Sequence, residues 1–261
     1  MLMKLVLIGS GNVATVLGRM FHAKGHDILQ VISRNMAHAH TLALELGAHP
    51  STDFRKTDHR ADMSIIAVSD DAVSSVSHWL HLSDSLIVHT AGSVSRDVLK
   101  NISPKFGVLY PLQSLRKENK DLPQVPFLID GNTNEVINII RSFALTISNQ
   151  VSVATDYDRL RLHLAAVTTS NFMNHLFTLT ESFCLKEGVD FKLLIPLLSE
   201  TVNRLGANSP AIMQTGPAIR NDRETIQRHI SMLSDYPELE KIYEWMTKSI
   251  IDFHSDHKQP G

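Results

Sequence analysis

"KLVLIGSGNVATVLG", residues 4–18, is the stretch whose reading decides the fold. An apolar run, Leu5 to Ile8, stops at Gly9, and Gly11 and Ala14 follow in the spacing G-x-G-x-x-A. An unbroken apolar run suits a strand buried on both faces. Helical periodicity then runs from Asn12 to Lys24 and stops at Gly25. Strand, glycine turn and helix form the one context in which this spacing carries chemistry. The first glycine permits the turn, and Gly11, without a Cβ, lets a pyrophosphate approach the backbone. Ala14 lets helix and strand pack closely, while the helix N-terminus offers N–H donors and a positive dipole end. Gly9, Ser10, Gly11, Asn12 and Val13 are therefore expected to bind the phosphates of a dinucleotide.

Working outward, strand-like runs recur as "DILQVIS", "MSIIAVS", "SLIVHT", "FGVLYP", "PFLIDG" and "QVSVAT". Helical periods lie between them at 12–24, 36–46, 70–80 and 133–147, with Gly47 as a second glycine stop and Asp70 and Asn132 at N-cap positions. Such alternation predicts an α/β fold, a Rossmann-like doubly wound and mostly parallel sheet, over residues 1–154. After "QVSVAT" the strand signals end. Residues 156–187 contain no proline and read as one long helix, apolar at Leu160, Leu164, Phe172, Leu176 and Phe183. Further helical periods at 191–205, 223–233 and 238–253 complete an all-α C-terminal domain, 155–253, that would carry substrate and dimer contacts. Residues 254–261 form a polar tail.

The second strand ends at Ser33, Arg34 and Asn35, where NAD-binding chains place an acidic residue on the ribose 2′-OH. A hydroxyl and a guanidinium suit a 2′-phosphate, so NADP(H) is the expected cofactor; the alternative is a solvated arginine. Later strand ends should line the same crevice. Ser69 and Asp70 come first, then Thr90, Ala91, Gly92 and Ser93 near the nicotinamide, with Tyr110 and Gln113 on the substrate side. Asp70 as a helix cap and His89 as a core histidine are the alternatives.

The net charge of −2 and a pI near 6.7 give no basic field for nucleic acid or a membrane surface. One cysteine, Cys184, excludes an internal disulfide and fits a reducing compartment. No apolar stretch has the length of a membrane span or of a signal-peptide core, so a cytoplasmic location is expected. The fourteen histidines are scattered, with only His38/His40 and His78/His81 close together, and no metal site is expected.

The glycine loop, "SRN", "AVSDDAV", "HTAGS", "GVLYPLQSL", "HLAAVTTSNFMNHL" and "TGPAIRNDRETIQRH" together resemble a family of NADP oxidoreductases. Its members join a Rossmann-like domain to a helical domain of unknown function, numbered 2520. They are distant relatives of pyrroline-5-carboxylate reductases, β-hydroxyacid dehydrogenases and deazaflavin-dependent NADP reductases. The resemblance spans nearly the whole chain and implies a homodimer built through the helical domain. The departure is catalytic: β-hydroxyacid dehydrogenases carry a lysine before an asparagine on the long helix. Here Asn171 matches that asparagine, but no lysine occurs from Asp156 to Leu185.

Polar residues on the long helix remain as candidates. Asn171, Asn174 and His163 are the catalytic ones, with His163 about 12 Å or more up an ideal helix axis from Asn171 and so out of reach of the substrate atom that Asn174 would touch. Arg220, beside an Asn221/Glu224 capping-box spacing, is the candidate to hold a substrate carboxylate. Packing at a dimer interface is the alternative for all of them. The function expected is NADP(H)-dependent hydride transfer with a small polar or carboxylic substrate; a non-catalytic NADP(H)-binding sensor or scaffold is the alternative.

Overall fold

The computed structural model describes residues 2–80, 82 and 85–256, and the chain divides into two compact units, Met1–Thr169 and Ser170–Gly261. His81 and tail residues 257–261 lie outside the described residues.

The first unit is built on eight strands: β1 (Lys4–Ile8), β2 (Asp27–Ile32), β3 (His49–Ser51), β4 (Met63–Ile66), β5 (Leu86–His89), β6 (Phe106–Pro111), β7 (Phe127–Gly131) and β8 (Val151–Val153). They form one sheet in the order β3-β2-β1-β4-β5-β6-β7-β8. Neighbours are parallel except β6 and β7, which run antiparallel with Leu109 opposite Ile129. Strand order reverses between β1 and β4, the topological switch point at which such sheets bind ligands.

Both faces of the sheet are covered, which is why its strands read as continuous apolar runs. Leu5, Leu7, Met63 and Ile65 pack in one buried cluster with Leu17, Phe21 and Phe143, from α1 (Asn12–Ala23) and α4 (Asn134–Ala144). Val6, Ile8, Ile66 and Ile87 point the other way, against Val73 and Val76 of α3 (Asp70–Ser77) and against Leu99.

Helix α2 (Met36–Leu46) is capped by Asn35, whose side chain accepts the His38 N–H, and stops at left-handed Gly47. Two caps fall one residue away from expectation. Ser69, not Asp70, stands at the N-cap of α3. Thr133, not Asn132, caps α4 because its hydroxyl reaches the N–H of Val136. Strand β3 gave no sequence signal: it is three residues long and holds Pro50, which an edge strand tolerates.

The single helix expected over 156–187 is interrupted. Helix α5 (Asp156–Ala166) ends in a π-helical turn, Val167–Asn171, before α6 (Phe172–Lys186) begins. Three β-branched residues in a row, Val167, Thr168 and Thr169, crowd the backbone there. The Thr168 and Thr169 hydroxyls also donate to the carbonyls of Leu164 and Ala165, a back-bonding that distorts helices. Although its composition groups it with the helical segment, α5 falls in the first unit.

The second unit holds α6, a 3-10 turn at Phe191–Leu194, α7 (Ile195–Arg204), α8 (Arg223–Met232) and α9 (Pro237–Asp256). Helix α9 packs on α6 and α8, with Tyr243 Oη 2.8 Å from His229 Nδ1. Asp222 caps α8 by accepting the Thr225 N–H; Asn221, the expected cap, instead takes a left-handed turn at φ 53°. Of this unit's described hydrophobic residues only Cys184, Ala218 and Leu233 are buried, while Ile212, Trp245 and Leu197 stand exposed.

Candidate active site

The carboxyl ends of β2, β1, β4, β5 and β6 lie side by side in that order, and the candidate residues of the first unit follow the same track. At β1, Gly9 adopts φ +130° and donates its N–H to Ile32 O at 2.7 Å. A Cβ there would collide with the Ala67 carbonyl, so only glycine fits. Gly11 is different: a Cβ added to it would meet nothing within 4 Å. Gly11 is also the N-cap of α1 and makes no side-chain cap, so the first-turn N–H groups keep no intrahelical partner. Open space above unpaired donors at a helix N-terminus fits a pyrophosphate.

At the neighbouring strand end, Ser33 Oγ lies 2.7 Å from Ser10 Oγ and ties the two loops together. Arg34 is exposed, with Asp71 in its field; the Asp71 carboxyl is held below its ordinary range by the Ser69 hydroxyl first and by Arg34 last. Asn35 spends its side chain on capping α2. One neighbour is absent from the sequence reading. The connection between β6 and β7 folds back on α1, where Asn12 Oδ1 accepts the Lys117 N–H and Arg19 Nη1 donates to Lys117 O at 2.6 Å. Its basic cluster "RKENK", 116–120, was the available signal.

Further along, Asp70 does not cap its helix but clamps the next loop. Its carboxylate accepts the Ser93 N–H at 3.0 Å and the Ser93 hydroxyl at 2.5 Å. Thr90 turns inward, its hydroxyl donating to Ile66 O, and Ala91 is buried. His89 is a core histidine, fully buried, with Nδ1 accepting the Ala91 N–H. Burial, then the charge of Arg159, pushes its pKa down to about 4, so it stays neutral.

Tyr110 and His163, 53 residues apart in sequence, come together at the β6 end: Tyr110 Oη is 2.9 Å from His163 Nδ1. Burial first, and then the Asp70 charge, raise the Tyr110 pKa. Gly92 lies against the His163 ring. Asp156, Arg159 and His163 share one face of α5, and each grips the loop after β5. Asp156 Oδ1 accepts the Arg96 N–H at 3.2 Å, while Arg159, only 1% exposed, donates to Val94 O and to Asp156 at 2.8 Å. Sequence reasoning missed Asp156 and Arg159; their i, i+3, i+7 spacing with His163 was the signal. Gln113 is occupied within its own loop, with Gln124 O and the Ser114 N–H.

In the second unit, Asn171 closes the π-helical turn and Asn174 sits in the first turn of α6; both are exposed, as is Arg220. Among the described residues no three His, Cys, Asp or Glu side chains group as a metal site, and no helix is long and apolar enough to cross a membrane.

Residues 4–92 match the family described as NADP oxidoreductase, coenzyme F420-dependent, and residues 125–250 match a domain of unknown function, DUF2520. A Bacteroides fragilis protein classed with the NADP oxidoreductases is 35% identical, over 96% of this chain and 98% of that one, at a TM-score of 0.90. A reductive aminase from Aspergillus terreus, crystallised with NADPH and ethyl-5-oxohexanoate, shares the fold at 17% identity and a TM-score of 0.74, over 97% and 94% of the chains. So does a 1-pyrroline-5-carboxylate reductase from Streptococcus pyogenes, at 14% identity and 0.63, over 96% and 98%. No curated protein matches at comparable significance. With the glycine cradle, the sheet order and a 35% identical relative in agreement, the chain belongs to the NADP-dependent oxidoreductases that carry a DUF2520 region.

Proposed function

We propose that the chain transfers a hydride between NADP(H) and a small polar or carboxylic substrate carrying a C=O or C=N group. The observation that carries this reading is the continuous track of strand ends from Arg34, past the open space over Gly11, to the loop at Gly92. Ser10 to Val13 would hold the pyrophosphate, Ser33 and Arg34 the 2′-phosphate, and residues 90–93 the nicotinamide side. The bound cofactor supplies a hydride at its nicotinamide ring. The chain orients it, with the loop after β5 held rigid by Asp70 and Arg159. In the second unit, Asn171 and Asn174 are proposed to donate hydrogen bonds to the substrate heteroatom as negative charge develops. Arg220 is proposed to hold a substrate carboxylate.

The protein is further proposed to act as a homodimer through its helical region. Exposed large apolar side chains such as Phe172, Leu197 and Trp245 support this, since a helix face of this kind is normally covered. The test is NADPH consumption against a panel of imines, ketones and 2-oxo acids. Turnover that Asn171→Ala slows by about 10²–10³-fold without loss of NADPH affinity supports the reading. NADPH binding with no consumption across the panel overturns it. Light scattering that returns a monomer at micromolar concentration overturns the assembly.

A further inference from the structure

We propose that His163, positioned by Tyr110, carries the proton that accompanies hydride transfer, with Nε2 as the proton-bearing atom. The inference rests on the hydride-transfer reading above and adds the group that balances it; with His163 at the heteroatom, Asn171 and Asn174 would hold another polar atom of the substrate.

The geometry leaves one edge of the imidazole for this task. Nδ1 is engaged by Tyr110 Oη at 2.9 Å, and the Nδ1–Cγ edge lies against Gly92. Nε2 has no partner among the described residues, and the ring is half-buried, whereas Tyr110 is 8% exposed. A hydrogen bond to one ring nitrogen fixes what the other can do. Tyr110 is on a sheet strand and His163 shares a helix face with Asp156 and Arg159, both tied to the loop after β5, so the ring is held rigidly. That loop ends the cofactor track. The charged groups that act on Tyr110 are Asp70 at the start of α3 and Arg159, one turn before His163.

The step balances. In the reductive direction, the substrate carbon gains a hydride with its electron pair, and the π pair moves onto the oxygen or nitrogen. That heteroatom takes the Nε2 proton of the His163 imidazolium. The neutral imidazole keeps its Nδ1–H, donated to Tyr110 Oη, and regains the Nε2 proton from water. In the oxidative direction, neutral His163 accepts the proton from the substrate. His163 touches the reacting atoms and is catalytic; Tyr110 acts through it and is a positioning residue.

The first test needs no substrate: full-length protein labelled with ¹⁵N-histidine is titrated with NADP⁺. The His163 ring signals should move as NADP⁺ saturates, and Tyr110→Phe should alter the Nδ1 signal before any addition. NADP⁺ binding that leaves His163 unmoved overturns this inference and spares the cofactor reading; no NADP⁺ binding overturns both. The second test is turnover. His163→Ala should lower kcat by about 10²–10⁴-fold with NADPH affinity kept, and free imidazole should restore part of it. His163→Asn, which can still bond Tyr110 but cannot carry the proton, guards against misfolding and should be equally slow. Tyr110→Phe should lower kcat more than it raises KM. Parental kcat in His163→Asn overturns the assignment.

Discussion

Gly92 packs against the ring of His163 so closely that a Cβ built on it would stand 2.6 Å from Nδ1 and 2.8 Å from Cγ. The loop after β5 and helix α5 are thus fitted to each other at the one position where a methyl group cannot enter without moving the imidazole. Gly92→Ala should displace His163 from Tyr110 and destabilise the fold by about 1–3 kcal/mol, the usual cost of overpacking. Turnover should fall by more than the loss of stability implies. A crystal structure of the variant with the Tyr110–His163 hydrogen bond intact would contradict this.

The proposed role of Arg34 is to set the choice of nucleotide. A charge-assisted hydrogen bond contributes about 1.5–3 kcal/mol, or about ten- to a hundredfold in affinity. NADPH should therefore bind more tightly than NADH by roughly that factor, and Arg34→Ala should close most of the gap. Isothermal titration of both nucleotides against parent and variant decides it; equal affinities in the parent would remove Arg34 from the role.

His89 makes stability depend on pH. Its pKa is about 4 in the folded protein against 6.5 for a free imidazole, so between those values the unfolded chain binds the extra proton. Stability from this group is complete above about pH 6.5, is lost as pH falls toward 4, and amounts to about 3 kcal/mol. His89→Asn, which still offers the Ala91 N–H an acceptor, should flatten the acid side of the stability profile measured by urea unfolding. An unchanged slope would show that other groups set it.

Arg159 illustrates a charge kept for position rather than for stability. Its Nη2 serves Val94 O and Asp156, while Nε and Nη1 are buried without a partner among the described residues. Replacing a buried ionic group by an apolar one of similar volume is often neutral or stabilising. Arg159→Met should leave Tm unchanged or raised, yet lower kcat because the loop at 93–96 loses its tether. A lower Tm with full activity would reverse the assignment.

What the sequence determined by itself was local. Seven strands were legible as β-rich runs, the six longer ones because burial on both faces demands unbroken apolar runs, and the glycine turn because Gly9 answers a backbone constraint that no other residue meets. β3 was not legible, since three residues around Pro50 carry no period. Nor was the π-helical turn, which arises from threonine hydroxyls competing for helix carbonyls rather than from any change in hydrophobic pattern. Tertiary structure alone decided that Asp70 clamps Ser93, that His163 meets Tyr110, and that Asp156 and Arg159 hold the loop after β5. The physical reason is separation along the chain. A cap or a turn is settled within four residues, whereas polar partners 23, 53 or 65 residues apart meet only where sheet order brings their strand ends together.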